Sequence, residues 1–367
     1  MYNDFGLKQS KLWREGTLCI TVAANIAETA LLGYPMCFPD SVVGFTAYPK
    51  ESSELFMHYV FEYIKEKIQN SVSGSIQDNI NIEYLTGLTF RIPEKKYQDE
   101  IAATLSALDT KIELNQRINA ELESMAKTLY DYWFIQFDFP NEKGKPYKSA
   151  GGKMVWNEEL KREIPLGWEC FELSKLVSRI ATGLNPRKNF VFGNGNNYYV
   201  TIKNIDYGKV VLDDRCDKVD DESLRIIDRR SDLQVGDVLF TSIEPVGKTY
   251  ILQEKPTNWN INESVFTIRP NYEMVTPEYL YFLLSSEMIK SFTNQSSAGS
   301  TFKGIRIGVL NTFLSPCSNK KLISDFSEVV KPILKKIDLI QKESQTLTEL
   351  RDWLLPMLMN GQVQIKG

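Results

Sequence analysis

The sequence predicts an α+β protein in which two globular units alternate with two long helices that pair as an antiparallel coiled coil. Three observations predict it. The chain repeats itself after roughly 220 residues. Each copy ends in an apolar seam of coiled-coil period, and a Gly- and Pro-rich stretch separates the copies.

Composition sets the outer limits. With 43% hydrophobic and 11% aromatic side chains, the 367 residues can fill the cores of two or three domains, which excludes disorder for the bulk of the chain. Lys plus Arg number 43 against 47 Asp plus Glu, so a net charge of −4 excludes a uniformly basic coat, and any phosphate-binding surface is local. Cys19, Cys37, Cys170, Cys216 and Cys317 form no CxxC pair and read as reduced thiols in a cytoplasmic protein. His58, the single histidine, sits among Phe56, Met57, Tyr59 and Phe61 and reads as a packing residue, so no metal site is expected. No apolar run approaches the roughly 20 residues that span a bilayer.

The repeat is visible along its length. Gly16–Thr21 (GTLCIT) matches Gly236–Thr241 (GDVLFT) at a shift of 220. Ser41–Val43 matches Ser264–Phe266 at 223, and Leu55–Tyr59 falls over Tyr279–Leu283 at 224. Ser73–Ser75 meets Ala298–Ser300 at 225, and that shift holds through the helix, with Lys111–Glu113 on Lys336–Asp338. The second copy carries a preamble over 164–220 before its matching portion, whereas the first enters the matching portion almost at once. A domain short by that preamble is expected to expose strand edges and apolar surface.

In the first long helix the seam is Ile101, Leu105, Leu108, Ile112, Asn115, Asn119, Leu122, Ala126, Leu129 and Trp133. In the second it is Phe326, Val330, Ile333, Ile337, Ile340, Ser344, Leu347, Arg351, Leu354 and Leu358. Steps alternate between four and three, a 3.5-residue period. A helix of about 35 residues runs about 50 Å and needs a partner along its length, for which the other copy is the obvious candidate. Ile101, Leu105, Leu108, Ile112, Leu122, Leu129, Ile333, Ile337, Leu347 and Leu354 are the expected pairing residues. Asn115 and Asn119 either fix register or face solvent, and Pro332 should bend the second helix locally.

Between the helices, Phe137 to Gly167 has turn chemistry and little periodicity, so it reads as a linker. Val235–Ser242, Thr249–Leu252 and Ser264–Ile268 read as strands, and Pro277–Ser291 reads as a helix with Pro in its first turn.

Two windows of the second unit hold no Asp or Glu, Leu173–Ile205 and Met288–Ser324. Both are rich in Gly, Asn and Ser, chemistry suited to a polyanion or to solvated surface loops. Arg187, Lys188, Asn194, Asn197, Tyr198 and Lys203 in the first, Ser300, Thr301, Lys303 and Arg306 in the second, and Lys248 between them are the candidate DNA contacts. Gly247-Lys248-Thr249 is not a nucleotide loop, because Ser242 stands where GxxxxGK[ST] requires Gly. The acidic stretch 206–237 should face away from nucleic acid. Nucleophile–His–acid sets, GxGxxG after a strand, and an Asn-Pro-Pro-aromatic tetrad are all absent, so the chain reads as a binder and not an enzyme.

The order of these parts resembles the DNA-specificity subunit of type I restriction–modification systems. Ile164–Glu169 (IPLGWE), Leu173 and Thr182-Gly183 look like the opening of a target recognition domain. Gly236–Phe240, Val246–Lys248 and Gly304–Ile307 look like its later part, and Gln98–Gln136 and Lys321–Gly361 look like the spacer helices. The resemblance implies a partial first recognition domain over 1–96, a first spacer helix over 97–136, a linker over 137–163, a second recognition domain over 164–319, a second spacer helix over 320–361 and a tail over 362–367. It further implies a bipartite DNA target, docking of methyltransferase and restriction subunits, and no catalysis in this chain. S-adenosylmethionine, ATP and Mg are expected in the partner subunits. One departure stands out: the loop Asn70–Asn79 carries Asp78 where the second copy has Lys303. The competing expectations are a coiled-coil scaffold that never touches DNA, and a silent, N-terminally truncated specificity cassette.

Overall fold

The structure is a computed structural model and describes residues 4–23, 25–72, 80, 82–206, 208–213, 215–297, 303–363 and 365. In chain order its elements are α1 (Asp4–Gln9), β1 (Leu18–Thr21), β2 (Thr29–Leu31), β3 (Val42–Phe45), α2 (Glu54–Val72), α3 (Ile82–Gly87) and α4 (Lys95–Tyr130). A π-helical turn, Asp131–Ile135, follows. Next come β4 (Met154–Asn157), β5 (Arg162–Pro165), β6 (Glu169–Glu172), α5 (Leu173–Leu176), β7 (Val177–Thr182), β8 (Asn197–Val200), β9 (Ile205–Asp206), β10 (Lys209–Val210), β11 (Asp217–Val219) and α6 (Asp221–Ser231). The chain finishes with β12 (Val238–Thr241), β13 (Thr249–Ile251), β14 (Trp259–Ile261), β15 (Val265–Pro270), α7 (Pro277–Ser285), α8 (Glu287–Ser297), α9 (Ile307–Asn311), β16 (Leu314–Cys317) and α10 (Lys320–Met359). It divides into two compact units, Met1–Gln116 with Lys342–Gly367, and Arg117–Gln341, so each unit takes one end of each long helix.

In the first unit an antiparallel sheet of order β2-β1-β3 forms one layer. Leu18 and Ile20 alternate inward from β1 and are buried, as a strand with one covered face requires. Helix α2 lies on β1 and β2. It adds Phe56, Met57, Tyr59 and Val60 to a core that also takes Ile101, Ala102 and Leu105 from α4 and Leu354, Leu355 and Leu358 from α10. Behind β3 the Trp13 ring lies so close to Gly44 that any Cβ there would strike it, and Trp13 stacks on Phe38 at 5.3 Å.

The second unit repeats this layer with an extra strand, in the order β13-β12-β15-β7. The registers are equivalent: Leu18 pairs with Leu31 and Phe45, and Val238 pairs with Ile251 and Ile268. Thr276 caps α7 by accepting from the Tyr279 N–H, with Pro277 in the first turn. The core joins Val238, Phe240, Tyr279 and Leu280 to Phe326, Val330 and Ile337 of α10 and to Ala126, Tyr130 and Phe134. A second sheet, β11-β8-β14, and α6 extend this unit and have no counterpart among the described residues of the first. On the extra strand β7, Arg179 donates to the Ser231 and Arg230 carbonyls, while Asp237, 1% exposed, accepts from Arg269 at 2.8 Å. Hydrogen bonding to Asp237 outweighs burial and holds the Arg269 guanidinium above its usual pKa.

Three expectations need correction or a choice. The helix expected over Pro277–Ser291 breaks at Ser286, which is extended. Its hydroxyl donates to the Leu283 carbonyl and accepts from Ile289 N–H, so serine stops one helix and caps the next. The stretch expected to be a plain linker is packed. Phe137 and Phe139 lie against Trp168, Tyr147 stacks on Phe139 at 4.6 Å, and β4 pairs with β5, because four aromatic rings bury better together than apart. Asn115 and Asn119 do not face solvent. Asn115 is 1% exposed and its amide donates to Glu343 at 2.8 Å, and buried Asn119 reaches the Ile337 carbonyl at 3.4 Å. Helix α10 continues through Pro332.

Candidate nucleic-acid interface

In the second unit the loops that carry the candidate contacts leave from one end of the strands. Because β12 and β7 run antiparallel to β15, and β8 runs parallel to β14, the C-terminal ends of β7, β8, β12 and β14 lie beside the start of β15. Backbone bonds stitch that end together. Gly183 N–H donates to Asn262 O, Asn262 N–H to Val200 O, Ser242 N–H to Ser264 O, and Ile305 N–H to Ser242 O. Only glycine fits at 183, since a Cβ would run into the Ile261 carbonyl. The first unit repeats the last bond: Ile80 N–H donates to Val22 O at 3.0 Å, against 2.8 Å for Ile305 and Ser242.

Arg187, Lys188, Lys203, Lys303 and Arg306 are exposed on these loops, whereas exposed Asn194 lies at the other end of β8, where Gly193 N–H donates to the Lys218 carbonyl. Among the described residues, Arg187, Lys188 and Lys203 have no carboxylate within 4.0 Å. Lys303 pairs loosely with Glu244 at 3.6 Å, with both side chains largely in water. Arg306 stands immediately before α9. The other candidates are committed elsewhere. Asn197 is buried and donates to Asp221 at 2.8 Å and to the Val219 carbonyl. The Tyr198 ring lies under Lys218, with Nζ 3.4 Å from its centroid. Lys248 faces Asp206 at 3.8 Å. Ser300 and Thr301 lie outside the described residues, as does most of the loop at 70–79 of the first unit. Behind the Arg187 loop, Phe190, Phe192 and Tyr199 make edge contacts, and the Tyr199 hydroxyl donates to Leu184 O at 2.7 Å. The loop therefore rests on a packed base and offers its cations to solvent.

The helix residues sort by unit. In the first, Ile101, Leu105 and Ile112 are buried and Leu108, Leu347 and Leu354 half-buried. In the second, Ile337 is buried and Leu122, Leu129 and Ile333 half-buried. In the first unit the pairing is antiparallel, since Asp109 meets Arg351 and Asn115, later in α4, meets Glu343, earlier in α10; in the second unit Asn119 reaches the Ile337 carbonyl. The seam's spacing alone does not show what Arg351 does. It donates to Asp109 at 2.8 Å, and Tyr59 donates to the same carboxylate at 2.6 Å. His58 donates from Nδ1 to the Thr29 hydroxyl, whose own proton goes to Glu62. Burial lowers its pKa. Among the described residues no His, Cys, Asp or Glu cluster could hold a metal ion, all five cysteines are free thiols, and no helix is long and apolar enough to cross a membrane.

A profile of the family described as type I restriction modification DNA specificity domain matches residues 2–124 and 165–348. The chain belongs to this family. Its two matched stretches fall on the two copies of the internal repeat. Among curated proteins, the chain is 24% identical to the type I restriction enzyme MjaIX specificity subunit of Methanocaldococcus jannaschii, across 97% of this chain and 79% of that one. It is 25% identical to the HindI specificity subunit of Haemophilus influenzae, across 82% of this chain and 74% of the other. The S subunit of a type I restriction–modification system from M. genitalium shares the fold, with a TM-score of 0.59 at 16% identity over 95% of this chain and 84% of that one. The family assignment makes this chain a specificity subunit, with catalysis left to partner subunits.

Proposed function

We propose that the chain reads a split DNA target, with the loops at one strand end of the second unit gripping one half. The observation that carries this is the trio Arg187, Lys188 and Lys203, exposed on loops anchored to packed strands and without carboxylate partners among the described residues. A cation left unpaired in that way gains by displacing counterions from phosphate. Lys303 joins them by releasing Glu244, and Arg306 is the candidate base reader, since a guanidinium donates two parallel bonds to a guanine edge. Ser300 and Thr301 belong to the same proposal by sequence. Asn197, Tyr198 and Lys248 act behind the surface and hold the loops.

In this reading the two long helices act as a coiled-coil spacer between readers and as the docking site for methyltransferase and restriction subunits in a cytoplasmic complex. Those partners supply S-adenosylmethionine, ATP and Mg. Leu114, Ile118, Met125, Leu350 and Trp353 are the large apolar side chains that the helices leave exposed for such docking. The test is duplex binding by the full chain as salt is raised. Affinity should fall steeply, with the slope reduced by about one for each phosphate-binding lysine replaced. Weak binding with no salt dependence would instead favour a protein scaffold.

A further inference from the structure

The two ends of the helix pair are built on equivalent positions filled with opposite chemistry. At the repeat's shifts of 224 and 225, Tyr59, Asp109 and Arg351 of the first unit correspond to Leu283, Leu334 and Ala126 of the second. In the first unit Asp109 uses both carboxylate oxygens, accepting from Arg351 at 2.8 Å and from Tyr59 at 2.6 Å. Leu283, Leu334 and Ala126 all lie buried within one apolar cluster. A second polar pair also has apolar equivalents: Asn115 donates to Glu343, and the equivalent positions hold buried Ile340 and exposed Ile118.

Related helices have alternatives. In an antiparallel pairing of the same register, α4 could meet α4 of a second copy, and α10 could meet α10. The first arrangement sets Asp109 against Ala126 twice, and the second sets Arg351 against Leu334 twice. Only the pairing of α4 with α10 puts ion with ion at one end and apolar with apolar at the other. We infer that Asp109, Arg351 and Tyr59, seconded by Asn115 and Glu343, make the long helices of one chain choose each other over the same helix of a second copy. An ion facing a half-buried apolar wall loses hydration without a partner, so each symmetric pairing carries two such penalties. A single polar pair placed in a seam is enough to choose partners in this manner.

The full chain carrying Gln116→Cys reports the wrong pairing, because Gln116 flanks the seam beside Asn115, near the point where two antiparallel copies of α4 in this register would bring it against itself. Inter-copy disulfide is read on a non-reducing gel after refolding. The unaltered lock should give little of it. Tyr59→Leu with Asp109→Leu and Arg351→Ala, which rebuilds the first end as the second, should raise it about tenfold. Asp109→Asn with Arg351→Gln removes both charges and leaves polar side chains, and it should raise the cross-link as well, even where the triple variant does not fold. Asp109→Arg with Arg351→Asp should match the unaltered lock, since the ions still meet. Equal cross-linking with and without the lock would overturn the inference.

Discussion

Strand β12 of the second unit lies between β13 and β15, and β15 is covered in turn by β7. In the first unit β1 lies between β2 and β3, and Trp13 packs on Gly44 behind them. The layers facing the long helices are equivalent residue by residue, down to the bond that ties Ile80 to Val22 and Ile305 to Ser242. Away from the helices the units part. Lys248 and Lys303 of the second correspond to Glu28 and Asp78 of the first, and Glu28 pairs with Lys65. The difference teaches that docking onto the helices constrains one face of the fold strictly, while the loop face is free to change charge. Phosphate binding should therefore be concentrated in the second unit.

The comparison can be broken by stability first. Phe326 packs edge-on against Phe134 at 5.1 Å and is fully buried, so Phe326→Ala should cost about 3–5 kcal/mol in thermal or denaturant unfolding. Next, Arg306→Ala should cost about 1–3 kcal/mol against the preferred DNA and relax choice at one position, whereas Lys188→Ala should weaken all sequences alike. Equal losses on every sequence for Arg306 would place it on phosphate. In the first unit Glu28→Lys should strengthen binding if its loop also approaches DNA, and leave it unchanged if only the second unit grips.

Arg351→Ala should destabilise the first unit by about 1–2 kcal/mol, at the low end for a broken ion pair because Arg351 and Asp109 are each a third exposed. Burial works against the Arg351 guanidinium, but hydrogen bonds to Asp109 and Asp352 outweigh it and raise its pKa, so the charge is present throughout the working range. The smallest effect is His58. Its folded pKa lies below the ordinary 6.5, lowered by burial, so its contribution is present above pH 6.5 and is lost as pH falls toward the folded value. His58→Gln should flatten that part of the stability curve.

The repeat, the long helices and strands β12, β13 and β15 were legible in the sequence because periodicity and register leave direct traces in residue order. Arg351 was not. A seam count treats a charged residue as a gap, and its meaning appears only when Asp109 and Tyr59 are brought beside it. Asn197 and Lys248 illustrate the same limit from the other side. Both have the composition of DNA contacts, yet Asp221, distant in sequence, accepts a hydrogen bond from Asn197, and Asp206, hidden in an acidic run, pairs with Lys248. Exposure of Arg187 and Lys188 was readable because no acid lies near them in the chain, whereas Lys203 stands three residues from Asp206 and its freedom shows only in the structure.

The most direct measurement is a genome-wide map of methylated adenines in cells that carry the chain together with the methyltransferase subunits of the proposed complex. The account predicts one split motif, with one half altered or blurred by Arg306→Ala and the other half intact. A motif unchanged by Arg306→Ala together with Lys188→Ala, or methylation that does not depend on this chain, would contradict it.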